Sequence, residues 1–273
     1  MIKVYSITYP SNIEKEEFVG LFFELDNEGM EEKDDTLDIY LNANQTEQGE
    51  KYISEICTAY NTSFVKSILE NKNWNTQWES SFQPILIEDF VYVRATFHKK
   101  NKNVTHEIII EPKMSFGTGH HPTTAQMMQN MRNIDFKYKS VLDCGSGTGI
   151  LAILAEKLGA KHIIALDNDE WCYHNCKENI ELNAVSKILP EIGELEHVKD
   201  KLFDIILANI HRNFHTANMQ QMSALLVTGG ILLVSGFYEE DVKIILDKAL
   251  EHNLIANYYT SSNNWACIVL QKK

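Results

Sequence analysis

Apolar and polar positions alternate along "IKVYSITY" (residues 2–9) and "TLDIYLN" (36–42), the period of a half-buried β-strand. Between them, "SNIEKEEFVGLFFEL" spaces Ile13, Phe18, Leu21 and Phe22 at helical intervals, with Ser11 or Asn12 as the expected cap. "GEKYISEICTAYN" predicts a second helix and "SFVKSILE" a third strand. Residues 1–70 therefore read as a small α/β domain without a catalytic pattern, suited to packing or recognition. "NKNWNTQWESSFQPILI" is polar and Asn-rich, with Trp74 and Trp78 one helical turn apart, which predicts a linker helix over 71–81.

From residue 82 onward the pattern changes. "FVYVRATFH" and "THEIIIEP" alternate as two strands joined by the polar turn "KKNKN". Short apolar runs then alternate with helical segments. The strands are "SVLDC", "HIIALD", "FDIILANI" and "GGILLVSG"; the helices are "ILAILAEKLGA", "DEWCYHNCKENIELN", "NFHTANMQQMSALL" and "YEEDVKIILDKALEHN". "LIANYYT" and "WACIVLQK", separated by "SSNN", predict a closing antiparallel hairpin. Strands alternating with helices specify an α/β domain on a parallel sheet, over 82–273. Ligands in such sheets lie at the carboxyl ends of the strands.

Composition narrows the class. Over 273 residues, 44% are hydrophobic, enough for a sizeable core. No run of 18 apolar residues suggests a membrane span, and the N-terminus lacks a secretory pattern. Five scattered cysteines do not form a disulfide framework, which places the chain in a reducing cytoplasm. A net charge of −13 disfavours direct nucleic-acid binding and suits a basic protein partner.

The chemistry centres on "VLDCGSGTGILAILA", a strand, a glycine loop and a helix. Gly145, Gly147 and Gly149 allow a tight turn and a close approach. A dinucleotide loop reads G-x-G-x-x-G; here Ile150 stands where the third glycine belongs. Asp143 precedes the loop. Its charge repels a pyrophosphate but attracts an ammonium and a sulfonium, so the spacing matches S-adenosylmethionine better than NAD. Asp167 ends the next strand, where a carboxylate accepts from both hydroxyls of a ribose. Asn209 ends "FDIILANI" with a donor and an acceptor for the cofactor's methionine portion or a substrate amine.

"EPKMSFGTGHHPTTA" (111–125) lies upstream. Its paired histidines invite a metal reading, as do His211 with His215, and Cys172 with His174 and Cys176. None has the paired spacing of a zinc site, so no metal is expected. Gly117 and Gly119 suit a loop lying over a ligand. Pro122, Thr123 and Thr124 suit the start of the helix "TTAQMMQNM", with threonine as cap.

Taken together, "FGTGHHPTTA", "VLDCGSGTGILAILAEKLGA", "ALDND" and "ILANI" resemble the PrmA family of ribosomal protein L11 methyltransferases. "NWNTQWESSFQPI" is similar to that family's Trp-bearing linker, and "WACIVLQK" to its ending. The resemblance covers roughly residues 70 to 273; the first 70 match in length and α/β pattern. It implies a ferredoxin-like domain that recognises substrate, followed by a Rossmann-like, seven-stranded class I methyltransferase domain. It implies cofactor contacts at Thr124, Gly145, Asp167 and Asn209, with Phe116, Gly117, Thr118 and Gly119 covering the cofactor's reactive end. The implied reaction is S-adenosylmethionine-dependent N-methylation of lysine side chains and the N-terminal α-amine of ribosomal protein L11, free or on the large subunit.

Four residues depart from the family pattern. His120 replaces a usual threonine, His211 a leucine, and Cys144-Gly145 a Gly-Cys pair. No general base is assigned; Asn209 and His211 are the candidates at the reacting centre. The alternatives are a class I methyltransferase acting on another protein, a small molecule or nucleic acid, an NAD-dependent oxidoreductase, and a non-catalytic cofactor sensor.

Overall fold

The computed structural model describes residues 2–23, 25–68, 83–111, 113 and 115–273. The expected linker helix over 71–81 lies outside the described residues. By its internal contacts the chain separates into two compact units, Met1–Trp78 and Glu79–Lys273.

In the first unit the order is β1 (Lys3–Thr8), α1 (Lys15–Gly20), β2 (Gly29–Glu32), β3 (Thr36–Leu41), α2 (Thr46–Ala59) and β4 (Phe64–Ile68). The strands form one antiparallel sheet in the order β2-β3-β1-β4, which is the ferredoxin-like arrangement. Tyr5, Ile7, Leu37, Ile39 and Leu41 face inward against Phe18, Phe22 and Ile53, all fully buried. Strand β2 escapes the sequence pattern because "GMEE" is short, and its two glutamates are exposed at a sheet edge. Helix α1 is shorter than the periodicity predicts. Ser11 and Asn12 lie in a turn, and Glu14 is the cap position. After Gly20 the amides of Leu21, Phe22 and Phe23 bond three residues back, so the helix tightens and stops.

The second unit begins with a three-stranded sheet of β5 (Ile85–Ile87), β6 (Val91–Arg94) and β7 (His106–Ile109). Strands β6 and β7 pair in parallel rather than as a turn-linked hairpin. Residues 95–105 carry the chain back before β7 starts. Then follow α3 (Pro122–Met131), β8 (Ser140–Cys144), α4 (Ile150–Lys157), β9 (His162–Asp167), α5 (Glu170–Leu182), β10 (Ile188–Ile192), β11 (Phe203–Asn209), α6 (Arg212–Ala224), β12 (Leu226–Tyr238), α7 (Val242–Glu251), β13 (Leu254–Ser262) and β14 (Trp265–Lys272).

The seven strands β8–β14 form one sheet in the order β10-β9-β8-β11-β12-β14-β13. All pairings are parallel except those of β14, which runs antiparallel to β12 and β13. This is the α/β domain on a largely parallel sheet that the alternation predicts, in the seven-stranded, Rossmann-like form that the resemblance implies. Helix α4 is apolar on every side over Ile150 to Ala155, and these six residues are all buried. Such a helix needs partners on every side; it packs on β7 to β10 and on helices α3 and α5. The β13–β14 hairpin turns at Asn263 and Asn264, with φ of 50° and 64°, the positive values that a two-residue hairpin turn requires.

Strand β10 is missing from the sequence pattern. Pro190 sits in it, paired with Ala165. Proline donates no ladder bond, and β10 tolerates it as the edge strand.

Candidate functional site

The carboxyl ends of β8, β9 and β11 bring Cys144, Asp167 and Asn209 to one rim of the sheet. A groove of about 560 Å³ opens there, lined by Gly145, Leu166, Asp167, Glu194, Leu195 and Phe214 among others. A shallower pocket of about 250 Å³ adjoins it, walled by Phe116, His121, Thr123, Asn209, Gly236 and Trp265. Ile210 and His211 line both.

The glycine loop is drawn tight by its neighbours. The amides of Gly145 and Ser146 both donate to the Leu166 carbonyl, at 2.8 and 3.1 Å. Gly147 N donates to Asp167 Oδ2 at 2.8 Å, and Asp169 N to Oδ1 at 3.1 Å. Asp167 is half-buried. Each of its oxygens keeps a lone pair for a further donor.

Gly147 has φ of 53°, and a Cβ there would stand 2.3 Å from the Phe116 carbonyl oxygen. What this glycine admits is thus a backbone atom of the chain's own "FGTG" loop. A Cβ on Gly145 would meet Ile210 at 2.7 Å, and one on Gly149 the Cys176 sulfur at 2.5 Å.

Asp143 lies beneath the loop, 1% exposed. Its Oδ2 accepts from Ala152 N at 3.0 Å, in the first turn of α4, and its Oδ1 has no partner. Burial, opposed by the Ala152 bond and reinforced by the Asp167 charge, pushes its pKa up to about 7.

Thr124 and Asn209, far apart in sequence, meet here. Asn209 Nδ2 donates to Thr124 Oγ1 at 3.2 Å, and Asn209 Oδ1 is buried without a partner. Thr124 itself is 1% exposed.

The start of α3 differs from expectation. His121 is the cap, and Pro122 is the first helical residue, where its missing N–H costs nothing. His121 Nδ1 accepts from Thr123 N at 3.4 Å and lies 2.8 Å from Thr123 Oγ1. Burial lowers the His121 pKa, which favours the neutral ring this capping needs. The ring packs between Phe116 and Trp265, with centroids 5.4 and 4.7 Å away.

His120 points elsewhere. Its Nε2 is 2.9 Å from the Gln83 carbonyl and its Nδ1 3.1 Å from Thr118 Oγ1. The Nε2–H tautomer satisfies both contacts. His211 caps α6, with Nδ1 accepting from Phe214 N at 3.3 Å. His215 is fully buried and its Nε2 lies 2.8 Å from the Ser235 carbonyl; burial drives its pKa down to about 4, so it is a neutral core histidine. Among the described residues no three His, Cys, Asp or Glu side chains gather as a metal site.

Sequence reasoning missed several residues at the rim. Glu194 and Leu195 follow the unrecognised β10. Trp265 opens β14, and its place depends on a distant contact: Gln126 Nε2 donates to its carbonyl at 3.0 Å. No local signal marks such long-range pairs.

Comparison with known proteins agrees with this geometry. A family model described as ribosomal protein L11 methyltransferase (PrmA) matches residues 6–273. A ribosomal protein L11 methyltransferase of Phocaeicola vulgatus is 43% identical over 201 residues, 73% of this chain and 72% of its own length. One from Porphyromonas gingivalis is 46% identical over 198 residues, 72% of this chain and 68% of its own length. The crystal structure of a ribosomal protein L11 methylase from Lactobacillus delbrueckii subsp. bulgaricus superposes with a TM-score of 0.65 at 25% identity, covering 70% of this chain and all of its own. The chain belongs to the ribosomal protein L11 methyltransferase (PrmA) family, and it is a methyltransferase.

Proposed function

We propose that this enzyme transfers methyl groups from S-adenosylmethionine to the lysine side chains and N-terminal α-amine of ribosomal protein L11. The observation that carries this reading is the orphaned Asn209 Oδ1, a buried acceptor at the strand end where the groove and the aromatic pocket meet. It suits an amine N–H. Asp167 suits the ribose hydroxyls, and Leu166 and Leu195 give the groove apolar walls for the adenine ring. Bound there, the cofactor supplies an electrophilic methyl carried on a sulfonium.

The chain's own residues must present a neutral amine. A lysine ammonium has a pKa of about 10.4, so deprotonation at pH 7 costs roughly 4–5 kcal/mol, whereas an α-amine at about 7.7–8.0 needs far less. Phe116, His121 and Trp265 give the pocket largely apolar walls, which favour the neutral form. Positioning then suffices without a dedicated base. His211 Nδ1 is already engaged as a helix cap, so His211→Asn, which keeps a capping side chain, should leave kcat within about threefold and the pH–rate profile unchanged. A displaced acid limb in that profile would reinstate His211 as the base.

The first unit is proposed to recognise the protein substrate. Its 78 residues hold 15 acidic and 6 basic side chains, a net −9 of the chain's −13, which fits a basic protein surface. No helix among the described residues is long and apolar enough to cross a membrane. All five cysteines are free, as suits a reducing cytoplasm.

The reading is tested by incubating the enzyme with methyl-labelled S-adenosylmethionine and purified ribosomal proteins. Label should map to amines of L11; label on a different protein, or on RNA alone, overturns the substrate.

A further inference from the structure

We propose that Thr148 and Asn179 are positioning residues that staple the "FGTG" loop to the glycine loop and so set the wall of the amine pocket. Neither side chain is exposed. Thr148 N donates to the Phe116 carbonyl at 3.0 Å, and Thr148 Oγ1 donates to the Gly117 carbonyl at 2.6 Å. The Thr148 carbonyl in turn accepts from Asn179 Nδ2 at 2.9 Å. Asn179 Oδ1 accepts from Glu111 N, also at 2.9 Å. One continuous chain of hydrogen bonds thus ties the loop at its root, Glu111, and near its tip, Phe116 and Gly117.

The root is held further at the end of α5, by its C-cap residue. Asn183, one turn beyond Asn179, accepts from Ile109 N at 2.9 Å and donates to the Ile109 carbonyl at 2.6 Å. Two carboxamides at i and i+4 project from one helix face, as this spacing requires. They complete the backbone edge leaving β7. The tip is held by close contact as well, since Gly147 leaves room for the Phe116 carbonyl.

Phe116 is 55% exposed and lines the pocket. The ring packs against His121 and is otherwise open, so its backbone sets where it stands. The staple therefore acts on the reacting end of the site. Its own hydrogen bonds involve neither Asp167 nor Leu195, at the far end of the groove.

This inference rests on the cofactor site proposed above, and the test separates the two. Thr148→Val removes the hydroxyl and keeps the shape, while Thr148→Ser retains the hydroxyl. For the valine variant, kcat should fall about tenfold or more. Affinity for S-adenosylhomocysteine should stay within about threefold, and hydrogen exchange of the residue 148 amide, which donates to the Phe116 carbonyl, should rise. Serine should restore all three. Asn179→Asp breaks the same chain at its other end and should reproduce the valine pattern. Unchanged exchange of the residue 148 amide in folded valine and aspartate variants overturns the staple, as does a serine variant that fails to recover. Wild-type protein that binds no S-adenosylhomocysteine overturns the cofactor site instead.

Discussion

Replacing Asp143 by asparagine should make the free protein more stable at pH 8 and a poorer ligand for the methyl donor. In the unfolded chain an aspartate titrates near 3.9; in the fold Asp143 titrates at about 7, because burial disfavours its anion. A raised pKa means that the folded state holds the proton more tightly. The stabilisation from that bound proton is complete below about pH 4 and is lost as pH rises to about 7. About three pKa units correspond to roughly 4 kcal/mol. Asparagine has no charge to desolvate and still accepts from Ala152 N. Its amide group takes the place of the unpartnered Oδ1, and an unsatisfied buried donor costs about 1–3 kcal/mol. The expected net gain at pH 8 is therefore on the order of 1–3 kcal/mol. Denaturant titrations from pH 5 to 8 check it: the wild-type midpoint should fall with pH, and the variant's should fall less.

The same carboxylate, once ionised, is expected to favour a cationic ligand above the loop. An opposite charge in the groove should favour the ionised form of Asp143. Wild-type affinity for S-adenosylmethionine should rise as pH passes 7, because binding a sulfonium favours the ionised form. Affinity for S-adenosylhomocysteine, which lacks that charge, should rise less. Asp143→Asn should flatten the first curve towards the second. Parallel curves in both proteins would show that Asp143 does not sense the sulfonium.

The chemistry of the glycine loop was legible because it is local. Asp143, the three glycines and the helix after them all lie within residues 143–157, and the alternation of strands and helices orders the sheet around them. The short edge strands were not legible: Pro190 in β10 and the glutamates in β2 mask the apolar signal that burial would otherwise impose. Nor could the cap of α3 be read from residue preference alone. Threonine is the commoner cap, but here His121 is also held between Phe116 and Trp265, and that packing decides the choice. The meaning of Gly147 changed most. Its spacing announces a close approach, but only the folded chain shows that the approaching atom is the carbonyl of Phe116.

Replacing Asp167 by alanine should weaken the binding of S-adenosylmethionine and S-adenosylhomocysteine equally, by a hundredfold or more. Hydrogen bonds to a charged group contribute about 1.5–3 kcal/mol each, and the two ribose hydroxyls offer two. Alanine also strands the amides of Gly147 and Asp169, which now donate to the two carboxylate oxygens. The loop that Gly147 anchors then loses its tie to β9, so the loss should exceed that of the ribose bonds alone. Asp167→Asn separates these contributions. Its oxygen can keep the bond to Gly147 N, but it lacks the second acceptor and the charge, so its affinity should fall between wild type and alanine. Calorimetry with both ligands reads the result. The ribose is common to the two, so Asp167 variants should leave their ratio of affinities unchanged, whereas Asp143→Asn should change it. An Asp167→Ala protein that binds either ligand normally refutes the ribose assignment. One that loses only the methylated ligand would show that Asp167, and not Asp143, is the acid that faces the sulfonium.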